Sequence, residues 1–178
     1  MKRISRILLV VLALLLVQLG AMEVMAQQST PTVYLDAVNG LDTNDGATET
    51  TAVKTLDAAY GKLSSKGKIV LVTDYTITMT ADNQTIAPNA HSYEVIISGK
   101  TADTKLIVST AKTNLYLGLQ GPTTFEDITI NAEGTANACI YGNGGHVKIG
   151  SGVKTTSTTK FKLSAGPLRS GYVGDMSL

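Results

Sequence analysis

Tryptophan is absent from this 178-residue chain, phenylalanine occurs twice, and Cys139 is the single cysteine. One cysteine excludes an intramolecular disulfide and a cysteine zinc cluster. Cys139 sits in the alternating stretch Asn137-Ala138-Cys139-Ile140-Tyr141, and His91 and His146 are both distant in sequence. A nucleophilic thiol would need a partner base, so a small buried hydrophobe is the reading that fits. Few bulky aromatics point to a core of stacked small aliphatics. No nucleophile–base or acid–base constellation stands out anywhere in the chain.

Arginine is also scarce. Arg3 and Arg6 lie with Lys2 at the N-terminus, ahead of the apolar run Ile7–Val17, and Val24-Met25-Ala26 precedes the polar Gln27-Gln28. That is the layout of a cleaved secretory signal peptide over residues 1–26. A membrane anchor needs about 20 apolar residues, and Gln18, Gly20 and Glu23 interrupt this run first. The expected localisation is secreted or at the cell surface, with no membrane span after cleavage. The leader removes Lys2, Arg3, Arg6 and Glu23, so fifteen basic and fourteen acidic side chains become twelve and thirteen, a net charge near −1. Arg169 is then the only arginine. A nucleic-acid partner would call for a basic surplus and for Arg on phosphates. The composition argues against that class, and against electrostatic binding to an anionic membrane.

What the chain does have is threonine, valine and isoleucine, which suit pleated, half-buried surfaces, and Gly and Asn, which suit tight turns. The apolar fraction of 43% is too high for a disordered Thr-rich stalk. Short strands are expected at Thr32–Asp36, Lys68–Thr73, Tyr75–Met79, Glu94–Ser98, Leu106–Ser109, Leu115–Leu119, Phe125–Asn131, Ala138–Tyr141, His146–Ile149 and Lys160–Leu163. Turn signals such as Asp82-Asn83, Ser98-Gly99 and Gln120-Gly121-Pro122 separate them. Consecutive apolar residues in Ile69-Val70-Leu71-Val72 predict strands covered on both faces or lining a tight interior. Ile96, Ile107, Leu117 and Ile128 recur at intervals of 11, 10 and 11. Such spacing suits an antiparallel sandwich or a parallel β-helix, and the scarcity of two-residue hairpin turns weakens the sandwich.

One helix is expected, from Thr55 to Ser64. Thr55 is a suitable N-cap, and Leu56, Ala59, Tyr60 and Leu63 form one apolar stripe, with Gly67 beyond the end. A helix this short needs an apolar surface to cover. The open end of a stacked sheet supplies one and gains protection for its unpaired edge.

Between the first strand and this helix lies Asn39-Gly40-Leu41-Asp42-Thr43-Asn44-Asp45-Gly46, with both glycines available for left-handed backbone. Its acids are one residue short of the calcium-hand register. A looser oxygen-lined calcium site from Asp36, Asp42, Asn44 and Asp45 stands as one reading. A solvated loop of Asx-turns is the other, and it explains the same residues without an ion.

Thr32-Val33-Tyr34-Leu35-Asp36, the loop Asn39–Gly46 and Val53-Lys54-Thr55-Leu56-Asp57-Ala58-Ala59-Tyr60 together resemble the entry segment of bacterial secreted proteins of the pectate-lyase-like superfamily. There a V-Y-V…N-G-x-D-x-N-D-G…K-T-L-x-x-A run precedes the first rung. Phe125-Glu126-Asp127-Ile128-Thr129-Ile130 is similar to their recurring F-x-x-I-T-I rung. The likeness covers residues 32–73 closely and 94–150 only as a pattern. It implies a mostly β fold, a right-handed parallel β-helix, with residues 27–67 as N-terminal cap and 68–178 as rungs. The set of rungs is expected to be incomplete, since the sequence after Gly166 offers no second capping helix; the alternative is a small complete domain closed by a loop.

The superfamily includes lyases, hydrolases, epimerases, adhesins and inert stalks, so fold leaves function open. Its lyases imply a calcium-binding acid cluster beside an Arg or Lys base, and its hydrolases imply grouped aspartates on neighbouring rungs. Here Asp74, Asp82, Glu94, Asp103, Glu126, Asp127, Glu133 and Asp175 are scattered. Glu126 and Asp127 are adjacent, and adjacent strand residues face opposite ways. The expectation is an exported, non-catalytic β-helix module for surface display, adhesion or contact with a polysaccharide or host or cell-surface glycan. The alternatives are the N-terminal fragment of a polysaccharide lyase or glycoside hydrolase and a plain spacer. Tyr93, Tyr116 and Tyr141 can stack on sugars, although core or edge positions explain them better.

Overall fold

The computed structural model describes residues 30–80, 83–86, 92–110, 114–119, 121–133, 137–142, 147–155 and 160–164. The leader expected over residues 1–26 lies outside them. Among the described residues no helix is long and apolar enough to cross a membrane.

The chain is mostly β. Among the described residues thirteen strands run β1 Thr32–Leu35, β2 Gly67–Leu71, β3 Tyr75–Met79, β4 Asn83–Ile86, β5 Val95–Gly99, β6 Lys105–Thr110, β7 Asn114–Leu119, β8 Thr123–Glu126, β9 Thr129–Glu133, β10 Asn137–Gly142, β11 Val147–Ile149, β12 Lys154–Thr155 and β13 Lys160–Ser164. Helix α1 spans Leu56–Gly61, and a 3-10 turn spans Glu49–Thr51. From β2 onward the strands fall to three sheets in rotation. The first sheet has the order β1-β2-β5-β8-β11, the second β3-β6-β9-β12 and the third β4-β7-β10-β13. Every described strand pairing is parallel, which excludes the antiparallel sandwich.

The reason for this arrangement is visible in the alternation. In β2, Ile69 and Leu71 are fully buried while Lys68 and Val70 are half-buried. β2 therefore offers one face to the interior, and its consecutive apolar residues do not mean two equally buried faces. Register stacks Val33 on Ile69, Ile97 and Phe125 in the first sheet. In the second sheet it stacks Leu106 on Ile130 and Ile77 on Val108. These side chains and Leu119 from β7 belong to one hydrophobic cluster. Each such side chain contributes about 1.5–3 kcal/mol on burial. Phe125 is the largest of the fully buried ones, and the next largest are all Leu or Ile, so apart from that ring the described core is aliphatic.

Thr55 is the N-cap of α1, as expected: its hydroxyl accepts from Ala58 N–H at 3.2 Å. The helix ends at Gly61, three residues before the expected end, because Lys62 caps it. The stripe still holds, with Leu56, Ala59, Tyr60 and Leu63 all buried. Two tyrosines pin the helical segment. The Tyr75 hydroxyl accepts from Leu56 N–H at 3.1 Å, and the Tyr93 hydroxyl donates to Leu63 C=O at 2.9 Å. Tyr93 is thus a structural tie. The side chains of Tyr116, Tyr141 and Cys139 lie outside the described residues.

The expected strand Phe125–Asn131 is instead two strands, β8 and β9, separated by Asp127 in the left-handed region with φ 43°. β4 and β12 are not among the expected strands; Asn83 reads as a turn residue, and β12 is only two residues long.

Candidate functional site

The Asp/Asn/Gly loop folds back along the edge of β1 that does not meet β2. Tyr34 N–H donates to Gly46 C=O at 2.8 Å, Val53 N–H to Tyr34 C=O at 3.0 Å, and Asp36 N–H to Val53 C=O at 2.9 Å. The loop thus occupies backbone groups that an edge strand would leave open to another chain. Gly46 has φ +73°, the left-handed backbone expected of it. Gly40 does not adopt it. A Cβ there would sit 2.3 Å from Val53 O, so glycine is required by close approach and not by φ.

Each acid of the candidate calcium set ties a different part of this loop. Asp36 is buried, and its Oδ1 accepts from Val38 N–H at 2.9 Å, Asn39 N–H at 3.1 Å and the Thr73 hydroxyl at 3.0 Å. Its Oδ2 accepts from the Asn39 side-chain amide at 3.2 Å. Burial pushes the Asp36 carboxyl up, but the donors of Asn39, Val38 and Thr73 outweigh it and hold it below its ordinary value. Asp42 Oδ1 accepts from Lys54 N–H at 2.9 Å and Thr55 N–H at 2.8 Å, and its Oδ2 from the Thr55 hydroxyl at 3.0 Å. For Asp42 too, burial raises the carboxyl, and Thr55 and Lys54 bring it below the usual range. Asp45 is lowered by the Thr51 hydroxyl and by Ala47 N–H, the latter at 2.9 Å. The Asn44 amide donates to Ala52 C=O at 2.9 Å.

These acids do not converge. Among the described residues no three His, Cys, Asp or Glu side chains form a group able to hold a metal ion. Calcium takes six to eight oxygens, whereas hydrogen-bond donors already face the carboxylate oxygens of Asp36, Asp42 and Asp45. The four residues act as loop ties, and Asp36 and Asp42 reach well along the chain, to Thr73 and to Lys54 and Thr55.

Outward residues of the first sheet bring together a different set. Register places Tyr34, Val70, Ser98 and Glu126 in one row across β1, β2, β5 and β8. The next row is Thr32, Lys68, Ile96, Thr124 and Lys148. A cleft of about 400 Å³ opens over the first row, lined by Tyr34, Lys68, Val70 and Ser98, with Glu49, Lys100 and Asp127 at its sides. Lys100 Nζ pairs with Glu49 Oε2 at 2.6 Å, and Lys68 Nζ lies 3.6 Å from Glu126 Oε2. Beside the cleft, Glu94 receives Lys66 Nζ at 2.8 Å and the Thr124 hydroxyl at 2.6 Å, with Lys148 Nζ at 3.6 Å. Lys66 and then Thr124 hold the Glu94 carboxyl down to about 2.

No family model, curated protein or solved structure matches the chain.

One atom of the cleft is out of balance. Ser98 is 1% exposed, and its hydroxyl is, among the described residues, the one buried side-chain polar atom without a hydrogen-bond partner. An unsatisfied buried hydroxyl costs about 1–3 kcal/mol, so it calls for an explanation. With no base bonded to it, Ser98 is not arranged as a nucleophile.

Sequence reading missed this cleft. Tyr34 read as an ordinary strand residue and Ser98-Gly99 as a turn. Register joins residues 34, 70 and 98, and register is set by intervals of 36 and 28 positions that no local motif records.

Proposed function

We propose that the chain is an exported, non-catalytic module of the pectate-lyase-like kind, a right-handed parallel β-helix with an N-terminal cap, that presents its outer faces for adhesion or contact with glycans. The observation that carries this is the rotation of parallel strands among three sheets around one core. Such winding leaves each sheet's outer face as a continuous display surface built from short repeated segments. The cap loop and α1 fit the same reading, since a stack of strands needs its end covered. The resemblance of residues 32–73 to the entry segment of that superfamily supports both the fold and export.

Expression in a bacterium tests export first. The mass of the protein recovered outside the cytoplasm should correspond to cleavage after Ala26, and retention of the leader in a membrane fraction would overturn it. Incubation with a panel of polysaccharides tests the rest. Retention on at least one without change in its chain length is expected, whereas shortened products would identify an enzyme.

A further inference from the structure

We propose that the cleft on the outer face of the first sheet is a binding site for an uncharged saccharide, with Tyr34 as the stacking platform and Ser98 as a hydroxyl partner at its floor. This rests on the glycan-contact reading and names the site and ligand class for it.

Three features of the cleft select that ligand. Its cations are matched: Lys100 pairs with Glu49, and Lys68 with Glu126 beside the cleft. A balanced wall has no net field to concentrate an anion or a cation, yet it offers donors and acceptors side by side, as a ring of hydroxyls requires. Tyr34 and Val70 are register neighbours and form an apolar strip suited to the C–H face of a sugar ring. About 400 Å³ lies at the lower end of small-molecule pockets and suits one or two rings.

Ser98 is the independent pointer to a ligand. Its hydroxyl is buried and lacks a partner, and it lines the cleft. What shields it from solvent follows from the strand order. Lys68 on β2 and Glu126 on β8 flank β5, so their ion pair must pass over the outer face of β5, between Ile96 and Ser98. That pair is long, at 3.6 Å, and about a third of each side chain is exposed. Pairs of this kind give way readily. A sugar hydroxyl seated against Val70 displaces the Lys68 ammonium, bonds the Ser98 hydroxyl, and leaves Lys68 and Glu126 to bond the hydroxyls on either side of it.

The test is titration calorimetry of the exported protein with neutral oligosaccharides of glucose or mannose, with anionic oligouronates and with cationic amino-sugar oligomers. Saturable binding of a neutral oligosaccharide, little changed by added salt, is expected. Tyr34→Ala should weaken it about tenfold or more, and Tyr34→Phe should keep most of it. Ser98→Ala should weaken it by roughly threefold to tenfold, in a protein that melts no lower than the parent, which separates a ligand contact from a folding defect. If no oligosaccharide of any charge binds the parent, the glycan reading itself fails. If binding survives both Tyr34→Ala and Ser98→Ala, the cleft is not the site, although the reading stands. Binding confined to charged oligomers and abolished by salt would overturn the uncharged class.

Discussion

Replacing Ser98 by alanine should make the free protein more stable, against the usual direction of core substitutions. In the unfolded chain the hydroxyl is hydrated. In the fold it is buried with no partner, a loss of about 1–3 kcal/mol. Alanine keeps the Cβ and removes the stranded oxygen. The contacts that oxygen made are lost as well, at a few tenths of a kcal/mol. The net gain is therefore about 1 kcal/mol, which raises the melting temperature of a domain this size by roughly 2–4 °C. Thermal unfolding followed by far-ultraviolet circular dichroism measures it, with the urea midpoint as a second probe. Thr124→Val is the control. It lies on the adjacent strand and its hydroxyl gives Glu94 a 2.6 Å hydrogen bond, so it should lose about 1.5–3 kcal/mol. If Ser98→Ala melts below the parent, the hydroxyl is satisfied in solution and the inference drawn from its isolation is wrong. A more stable variant that binds sugar less well would be the trade-off expected of a binding residue.

Acid should destabilise the fold in a defined window. Asp36, Asp42, Asp45 and Glu94 are all lowered in the folded state, so the unfolded chain binds protons more readily than the fold. Their contribution is complete above pH 4.5 and is lost as pH falls through the folded values, down to about 2 for Glu94. Melting temperature should be level from pH 7 to 5 and fall below pH 4.5, with Glu94→Gln reducing the fall. Asp42→Ala strips acceptors from Lys54 N–H, Thr55 N–H and the Thr55 hydroxyl, and should lower the urea midpoint by an amount equal to about 1–2 kcal/mol. Phe125→Ala empties the largest fully buried side chain and should cost about 3–5 kcal/mol, read as a collapse of the thermal transition. Calcium and then chelator should leave the melting temperature unchanged, because donors already face the loop carboxylates; a rise with calcium would restore the ion site.

Local chemistry made much of the fold legible. Tyr75–Met79 was readable residue for residue, and so were the Thr55 cap and the stripe of α1. Corners were harder. Phe125 and Ile128 are both fully buried yet three positions apart, which a straight strand cannot achieve; that phase break was the available sign of the turn at Asp127. The recurrence of Ile96, Ile107, Leu117 and Ile128 was real but measured another quantity. The first three fall on β5, β6 and β7, so the interval is the step from sheet to sheet. The return to the same sheet takes 28 positions from Gly67 to Val95 and 23 from Asn114 to Asn137. Among candidate sites, acids drew attention in the sequence because acids are the usual ligands, yet here they fasten a loop. The cleft residues are ordinary one by one and acquire meaning only where the sheet sets them side by side.

The parallel rotation has a kinetic consequence. Apart from β1 with β2, no described strand pairs with its sequence neighbour, so every strand pairing must close a span of 23 positions or more. The first closure is the longest from a standing start: Val33 meets Ile69 across 36 positions. Intermediate fastenings at Leu35–Val53 and Asp42–Thr55 divide that span into shorter ones. Loop-closure entropy changes slowly with length, so later pairings differ little among themselves, and each strand that extends a sheet adds to an edge that already exists. Refolding should therefore be governed by residues 32–71, where loosening the Asp42 tie slows folding, whereas changes in later strands chiefly speed unfolding.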